Sequence, residues 1–173
     1  MATYDAGSAT CHVFTFKEGV LSAIAHDLRL RVDRFTVDVG DDGQSVEARF
    51  EADSLRVDCA MKDGREAFGT LRDGQKRDIE RNIVADVLHA RRHRTVVFRS
   101  MRIEGEGDVR QVEGTLSLHG VDRPVRTEAR RTAGRWTAEI ELHQPDHGIR
   151  PYSAMLGTLK IRPRVRVRIS VPQ

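Results

Sequence analysis

The sequence predicts a mainly β protein, a single antiparallel barrel of about eight strands with one or two short α-helices. Three observations predict it. Apolar and polar residues alternate with a period of two in segment after segment, glycine-bearing turn signals separate the segments, and one stretch follows a helical period instead. About eight antiparallel strands is the number at which a closed barrel has room for one small ligand.

The elements follow in order. Residues 11–16 form the first strand, with Phe14 and Phe16 assigned to the inner face. In residues 28–32, Leu28, Leu30 and Val32 share one face and Arg29 and Arg31 the other. The phase slips at Asp33-Arg34 before Phe35, Val37 and Val39 resume it, which marks a bulge or bend. Asp41-Asp42-Gly43 then reads as a hairpin turn into Val46, Ala48 and Phe50. Residues 54–75 are charged and show little periodicity, so they read as a long connection with a second short helix around 65–71.

In residues 78–90, Ile79, Ile83, Val84, Val87 and Leu88 recur at spacings of three to five, which predicts an amphipathic helix with Gly74 in its lead-in. Four more strands follow, over 96–103, 109–118, 125–131 and 136–142. Their separators are Glu104-Gly105-Glu106-Gly107-Asp108, the run from His119 to Pro124, and Ala133-Gly134. In the strand over 136–142, Trp136, Ala138, Ile140 and Leu142 point inward. The clearest alternation is at 164–171, where Val165, Val167, Ile169 and Val171 oppose Arg164, Arg166 and Arg168.

The chain is read as one domain over residues 1–173, with its barrel core at about 10–172. Its net charge of +3 comes from 29 basic and 26 acidic residues of interleaved sign, and aromatics are only 5%. Nucleic-acid binders concentrate basic charge on one face and mix aromatics into it, so nucleic acid is not an expected partner. Cys11 and Cys59 lack metal-type spacing and are expected to be free thiols. The start, Met-Ala-Thr-Tyr-Asp-Ala-Gly-Ser, has no basic and apolar leader, which makes the expected location cytoplasmic, or periplasmic if a leader was trimmed. No apolar run approaches the ~18 residues of a membrane helix.

Several pieces, in this order along the chain, carry a resemblance. They are Phe14-Thr15-Phe16-Lys17-Glu18-Gly19, Ala25-His26-Asp27-Leu28, the helix with Val96-Val97-Phe98-Arg99-Ser100, the run from Val112 to Val125, and His147-Gly148-Ile149-Arg150-Pro151-Tyr152-Ser153. Together the chain resembles the YceI-like family. The resemblance implies a lipocalin-like barrel and a polyisoprenoid, quinone or other lipid as cargo. The chain departs from familiar members in having Ala90-Arg91-Arg92-His93-Arg94 where they carry an aromatic and a proline.

An apolar cavity needs large inward side chains, and the inward phase supplies Phe14, Phe16, Leu30, Phe50, Phe98, Leu116, Trp136 and Ile140 as ligand-binding candidates. The plain alternative is that they only fill a core. His26 and His119, at strand ends beside turns, are candidates for a polar head group, with Tyr152 and His143 as helpers. The plain alternative there is a histidine that satisfies a turn.

No metal site and no cofactor are expected. His89 and His93 share a face only if the helix runs that far, and no HExxH pattern is present. Ser22, His26 and Asp27 have the composition of a triad but not its requirement of convergence from separate elements. A histidine-dependent enzyme or metal-binding protein is the alternative reading. The stripe of Arg164, Arg166 and Arg168 reads first as a solvated face paired with Glu139 and Glu141. A transient membrane-surface contact or a homodimer interface is the alternative for it.

Overall fold

The computed structural model describes residues 1–19 and 25–173. Its strands are β1 Ala2–Asp5, β2 Thr10–Thr15, β3 Lys17–Glu18, β4 Asp27–Val32, β5 Phe35–Val39, β6 Val46–Glu51, β7 Leu55–Lys62 and β8 Arg65–Ala67. A helix, α1 Asp73–Asn82, runs on into a π-helical turn, Ile83–Val87. Then come β9 Thr95–Glu104, β10 Val109–Leu118, β11 Val121–Thr132, β12 Arg135–His143, β13 Ser153–Ala154, β14 Leu159–Ile161 and β15 Arg164–Pro172.

Among the described residues, twelve strands join one curled antiparallel sheet, ordered β1-β5-β6-β9-β10-β11-β12-β15-β2-β4-β7-β8, while β3, β13 and β14 form a small second sheet. The count of twelve reduces to eight staves. β4 and β5 are two halves of one bent strand, as are β6 and β7. The halves pair as one hairpin, Val39 against Val46 at its tip and Asp27 against Met61 at its far end. One half of this hairpin pairs with β2 and the other with β9, so the sheet curls back on itself into a barrel. β1 and β8 are short additions on free edges.

The corner of the bent hairpin explains the slip at Asp33-Arg34. Ser54, fully buried, accepts the Arg34 N–H at its Oγ (3.0 Å) and donates to the Glu51 carbonyl (2.8 Å). The Asp33 N–H reaches the Ser54 carbonyl at 3.1 Å. One small hydroxyl thus satisfies backbone groups that the bend withdraws from the ladder.

The helix has a task set by that same bend. Past the corner, β7 leaves the neighbourhood of β9 and exposes an edge. Glu80 on α1 accepts the Val57 N–H (2.9 Å), and Lys76 donates to the Asp58 carbonyl (3.0 Å). Ile79 and Ile83 pack on Leu28, Leu30, Val57, Ala60 and Leu71. An exposed strand edge is covered, which removes a pairing template. The helix begins at Asp73, five residues earlier than its apolar period predicts, with the Arg72 N–H held by Gln75 Oε1 at 2.9 Å.

Two sequence expectations are corrected here. Residues 54–75 are not a mere connection, because they hold β7 and β8, and Arg65–Ala67 is strand, not helix. The condition for His89 and His93 to share a helical face is not met, since the helix stops well before His93 and His89 takes a left-handed φ of 46°. The strand faces around β15 are as the alternation predicts. Arg166 and Arg168 pair with Glu139 at 3.2 and 2.8 Å, and Arg164 with Glu141 at 3.9 Å.

Candidate functional site

The barrel encloses a cavity of about 1110 Å³. Inward residues of every stave line it: Leu30 and Val37 from the first bent strand, Ala48 and Phe50 from the second, Phe98 from β9, and Leu116 from β10. Ala129, Ile140 and Val167 continue the wall through β11, β12 and β15. Ile79, Ile83 and Leu88 close one side from the helix. This volume lies just above the usual range of small-molecule pockets, and its wall is dominated by aliphatic carbon. The space persists because several inward positions are small. Ala129 pairs with Ala138 on the inner face, so this row of the wall is nearly flat there.

Polar groups gather at the two ends. Three hairpin turns, at 40–45, 105–108 and 133–134, mark one end, where Arg110, Arg131, Trp136, Asp41 and Asp42 line the cavity. The other end lies by the helix, where His26, Gln75, Asp78, Asn82 and Tyr152 line it. There the Asn82 amide donates to the Tyr152 hydroxyl at 3.4 Å. On the wall, Thr15 Oγ1 is buried with no partner among the described residues.

Of the residues expected to bind a ligand, Leu30, Phe50, Phe98, Leu116, Trp136, Ile140, His26 and Tyr152 all line the cavity. Phe14 and Phe16 do not. β2 has the opposite phase to the one predicted, with Cys11, Val13 and Thr15 inward. Register explains the reversal: Val13 faces Val167 and Cys11 faces Ile169 across β15. Phe14 and Phe16 lie outside beneath the guanidinium groups of Arg168 (5.0 Å) and Arg166 (5.7 Å), which cover the rings in place of a core.

His119 is also outside the cavity. It sits in the β10–β11 turn with a φ of 54°, its ring 4.1 Å from that of His93 and 5.6 Å from that of His89. His147 is buried close by in a short helical turn. Burial lowers the pKa of both His119 and His147. His93 adds to the effect at His119, while the Val121 backbone opposes it at His147. His119 Nε2 and His147 Nδ1 are buried without partners among the described residues. His143 pairs with Asp146 at 3.0 Å. Among the described residues, no three His, Cys, Asp or Glu side chains are placed to hold a metal ion. Ser22 lies outside the described residues.

Both cysteines are free and buried, and burial pushes the Cys11 thiol up to about 12. Sequence reasoning overlooked Arg110 and Arg131 as cavity residues. The signal was present, since Arg110 is in phase with Val112 and Arg131 with Thr127 and Ala129.

Solved structures share this architecture. BcnA from Burkholderia cenocepacia matches with a TM-score of 0.65 at 12% identity, covering 96% of this chain and 97% of that one. A polyisoprenoid binding domain from Saccharophagus degradans, implicated in plant cell wall breakdown, matches with a TM-score of 0.61 at 13% identity, covering 95% and 94%. The YceI protein of Campylobacter jejuni gives a TM-score of 0.56 at 10% identity over 86% of each chain. No curated protein shows a significant sequence match. At such low identities these structures establish the fold alone. The family profile for the YceI-like domain, however, matches residues 5–172, from β1 to β15, and so the chain belongs to the YceI-like family.

Proposed function

We propose that the protein binds an elongated apolar molecule, an isoprenoid, quinone or other lipid, inside the barrel, and carries or sequesters it without transforming it. The observation that supports this reading is the cavity itself: about 1110 Å³ of space bounded by aliphatic and aromatic side chains from all eight staves. Water gains little in such a space, whereas each buried CH₂ of a ligand contributes ~0.8 kcal/mol. A chain of a dozen or so carbons therefore binds tightly with few polar contacts. The Saccharophagus degradans relative, described as a polyisoprenoid binding domain, supports the same class of cargo.

Chemistry is not part of the reading, because the ionisable groups that line the cavity lie toward opposite ends of an apolar barrel. Native mass spectrometry of protein purified from its own cells, followed by solvent extraction and lipid analysis, tests it. A stoichiometric lipid is expected. A protein that stays at its bare mass after incubation with isoprenoid alcohols, quinones and fatty acids overturns the proposal.

A further inference from the structure

The hairpin end of the cavity carries a charge arrangement that a plain apolar carrier does not need. Arg110 and Arg131 both project from inward-facing positions and lay their guanidinium groups over the single tryptophan, Trp136, at 5.4 and 5.6 Å from ring centroid to Cζ. Two cations held on one indole repel each other, and their surroundings neutralise only one of them. Arg131 pairs with Asp108, its Nε lying 2.6 Å from Oδ1. Arg110 has no carboxylate partner among the described residues, and its Nη1 reaches only the carbonyls of Gly107 and Val109, each at 3.0 Å.

Asp41 and Asp42 line the same end, but neither pairs with Arg110: Asp41 pairs with the amino terminus, and Asp42 Oδ1 accepts the Gln44 N–H at 2.9 Å. The wall directly beside Arg110 is the flat row, because Arg110 pairs with Ala129 and Ala129 with Ala138. Space, an uncompensated cation and a rigid aromatic support therefore meet at one point of the cavity wall.

We infer that this end reads an anionic head group, and that the cargo is an acidic amphiphile whose tail fills the barrel while its carboxylate or phosphate oxygens lie against Arg110 beside Trp136. This deepens the proposed function and rests on it. Stacking on the indole holds the guanidinium in place before the ligand arrives, so little side-chain entropy is lost on binding. A charge-assisted hydrogen bond in an apolar site is stronger than one in water, and it selects an acid over the matching alcohol. A fatty acid and an isoprenyl monophosphate offer the same chemistry, a long apolar tail ending in anionic oxygens.

Trp136 reports the test directly. Its fluorescence is followed at about pH 8 while hexadecanoate, hexadecanol and farnesyl monophosphate are titrated into the full-length protein and into Arg110→Gln. The expected result is that an acidic ligand binds about tenfold or more tighter than the alcohol. Arg110→Gln is expected to erase that preference by weakening the acid alone. Whichever acid binds tighter names the head-group class. Equal affinity of the wild-type protein for acid and alcohol, or a preference unchanged in Arg110→Gln, overturns the inference and leaves the carrier reading standing. Failure of all three ligands to bind, checked by calorimetry, removes both.

Discussion

Gly114 lies against the ring of Phe98 so closely that a Cβ at this position would sit 2.6 Å from the ring's Cζ and 2.3 Å from the Arg99 carbonyl oxygen. The contact falls at the irregularity where β10 slips its register against β9 between Glu113 and Gly114. A bulge there tightens the local twist of the wall, and the missing side chain leaves the space that the Phe98 ring occupies.

Gly114→Ala is therefore expected to destabilise the fold by about 1–3 kcal/mol, because the obstacle is backbone and a packed ring that have no free direction to move. Urea unfolding measures it. A loss well under 1 kcal/mol would show that β9 and β10 are not so closely fitted.

Leu30, 2% exposed, touches the cavity and packs in the cluster beneath the helix. Leu30→Ala is expected to cost about 2–3 kcal/mol, near the low end for buried leucines, since part of its surroundings is already open space. Chemical denaturation gives the value, and a cost near 5 kcal/mol would mean that the neighbouring wall is filled more tightly than the cavity volume indicates.

Ala138→Phe probes the hollow without knowledge of the cargo. In an occupied core such an insertion costs about 1–3 kcal/mol through overpacking. Here the new ring enters the cavity, so the melting temperature is expected to move little while lipid binding falls about tenfold or more. Strong destabilisation with unchanged binding would place Ala138 against a filled wall.

Acid is expected to weaken the fold before most carboxylates titrate. Burial lowers the pKa of His12, His119 and His147 in the folded chain. The unfolded chain then takes up protons first as pH falls through ~6.5, so the stability present above that value declines below it. Thermal melts between about pH 8 and 5.5 should show this fall, and His147→Gln should flatten it. A flat wild-type profile over that window would remove the histidines from the balance.

The buried thiols supply a further check. With Cys11 pushed up to about 12 and both cysteines buried, neither forms the reactive thiolate near neutral pH. The folded protein is expected to resist a thiol reagent that labels both cysteines in urea, and rapid labelling of native Cys11 would contradict its burial.

How much of this was legible in the sequence depends on whether one face of a strand was unambiguous. β15 was, because valine and isoleucine alternate with arginine there, and only one phase buries carbon. β2 was not. Both of its phases are apolar enough, and the larger rings of Phe14 and Phe16 favour the wrong one. What decides it is the pair of arginines on a strand some 150 residues away in sequence, which a local pattern cannot contain. β7 was readable in Leu55-Arg56-Val57-Asp58-Cys59, but the charges that follow blurred it. At the site, the aliphatic wall followed from alternation. The direction of His119 did not, because a turn residue at positive φ has no strand phase to inherit. Arg110 and Arg131 obeyed the inward phase all along, and their charge hid them.

The seating of β15 between β12 and β2 has a consequence for how the molecule is made. Residues 10–15 leave the ribosome about 150 residues ahead of their partner strand, residues 164–172. Until then β2 and β12 each present an unpaired edge of N–H and carbonyl groups, and no cavity exists to hold a lipid. Closure by so distant a pairing is slow compared with helix formation. A nascent or truncated chain lacking β15 is thus an open, adhesive sheet. Only a chain that includes β15 closes the barrel, and on the proposed function a cargo spanning that last seam would favour the closed state over the sticky one.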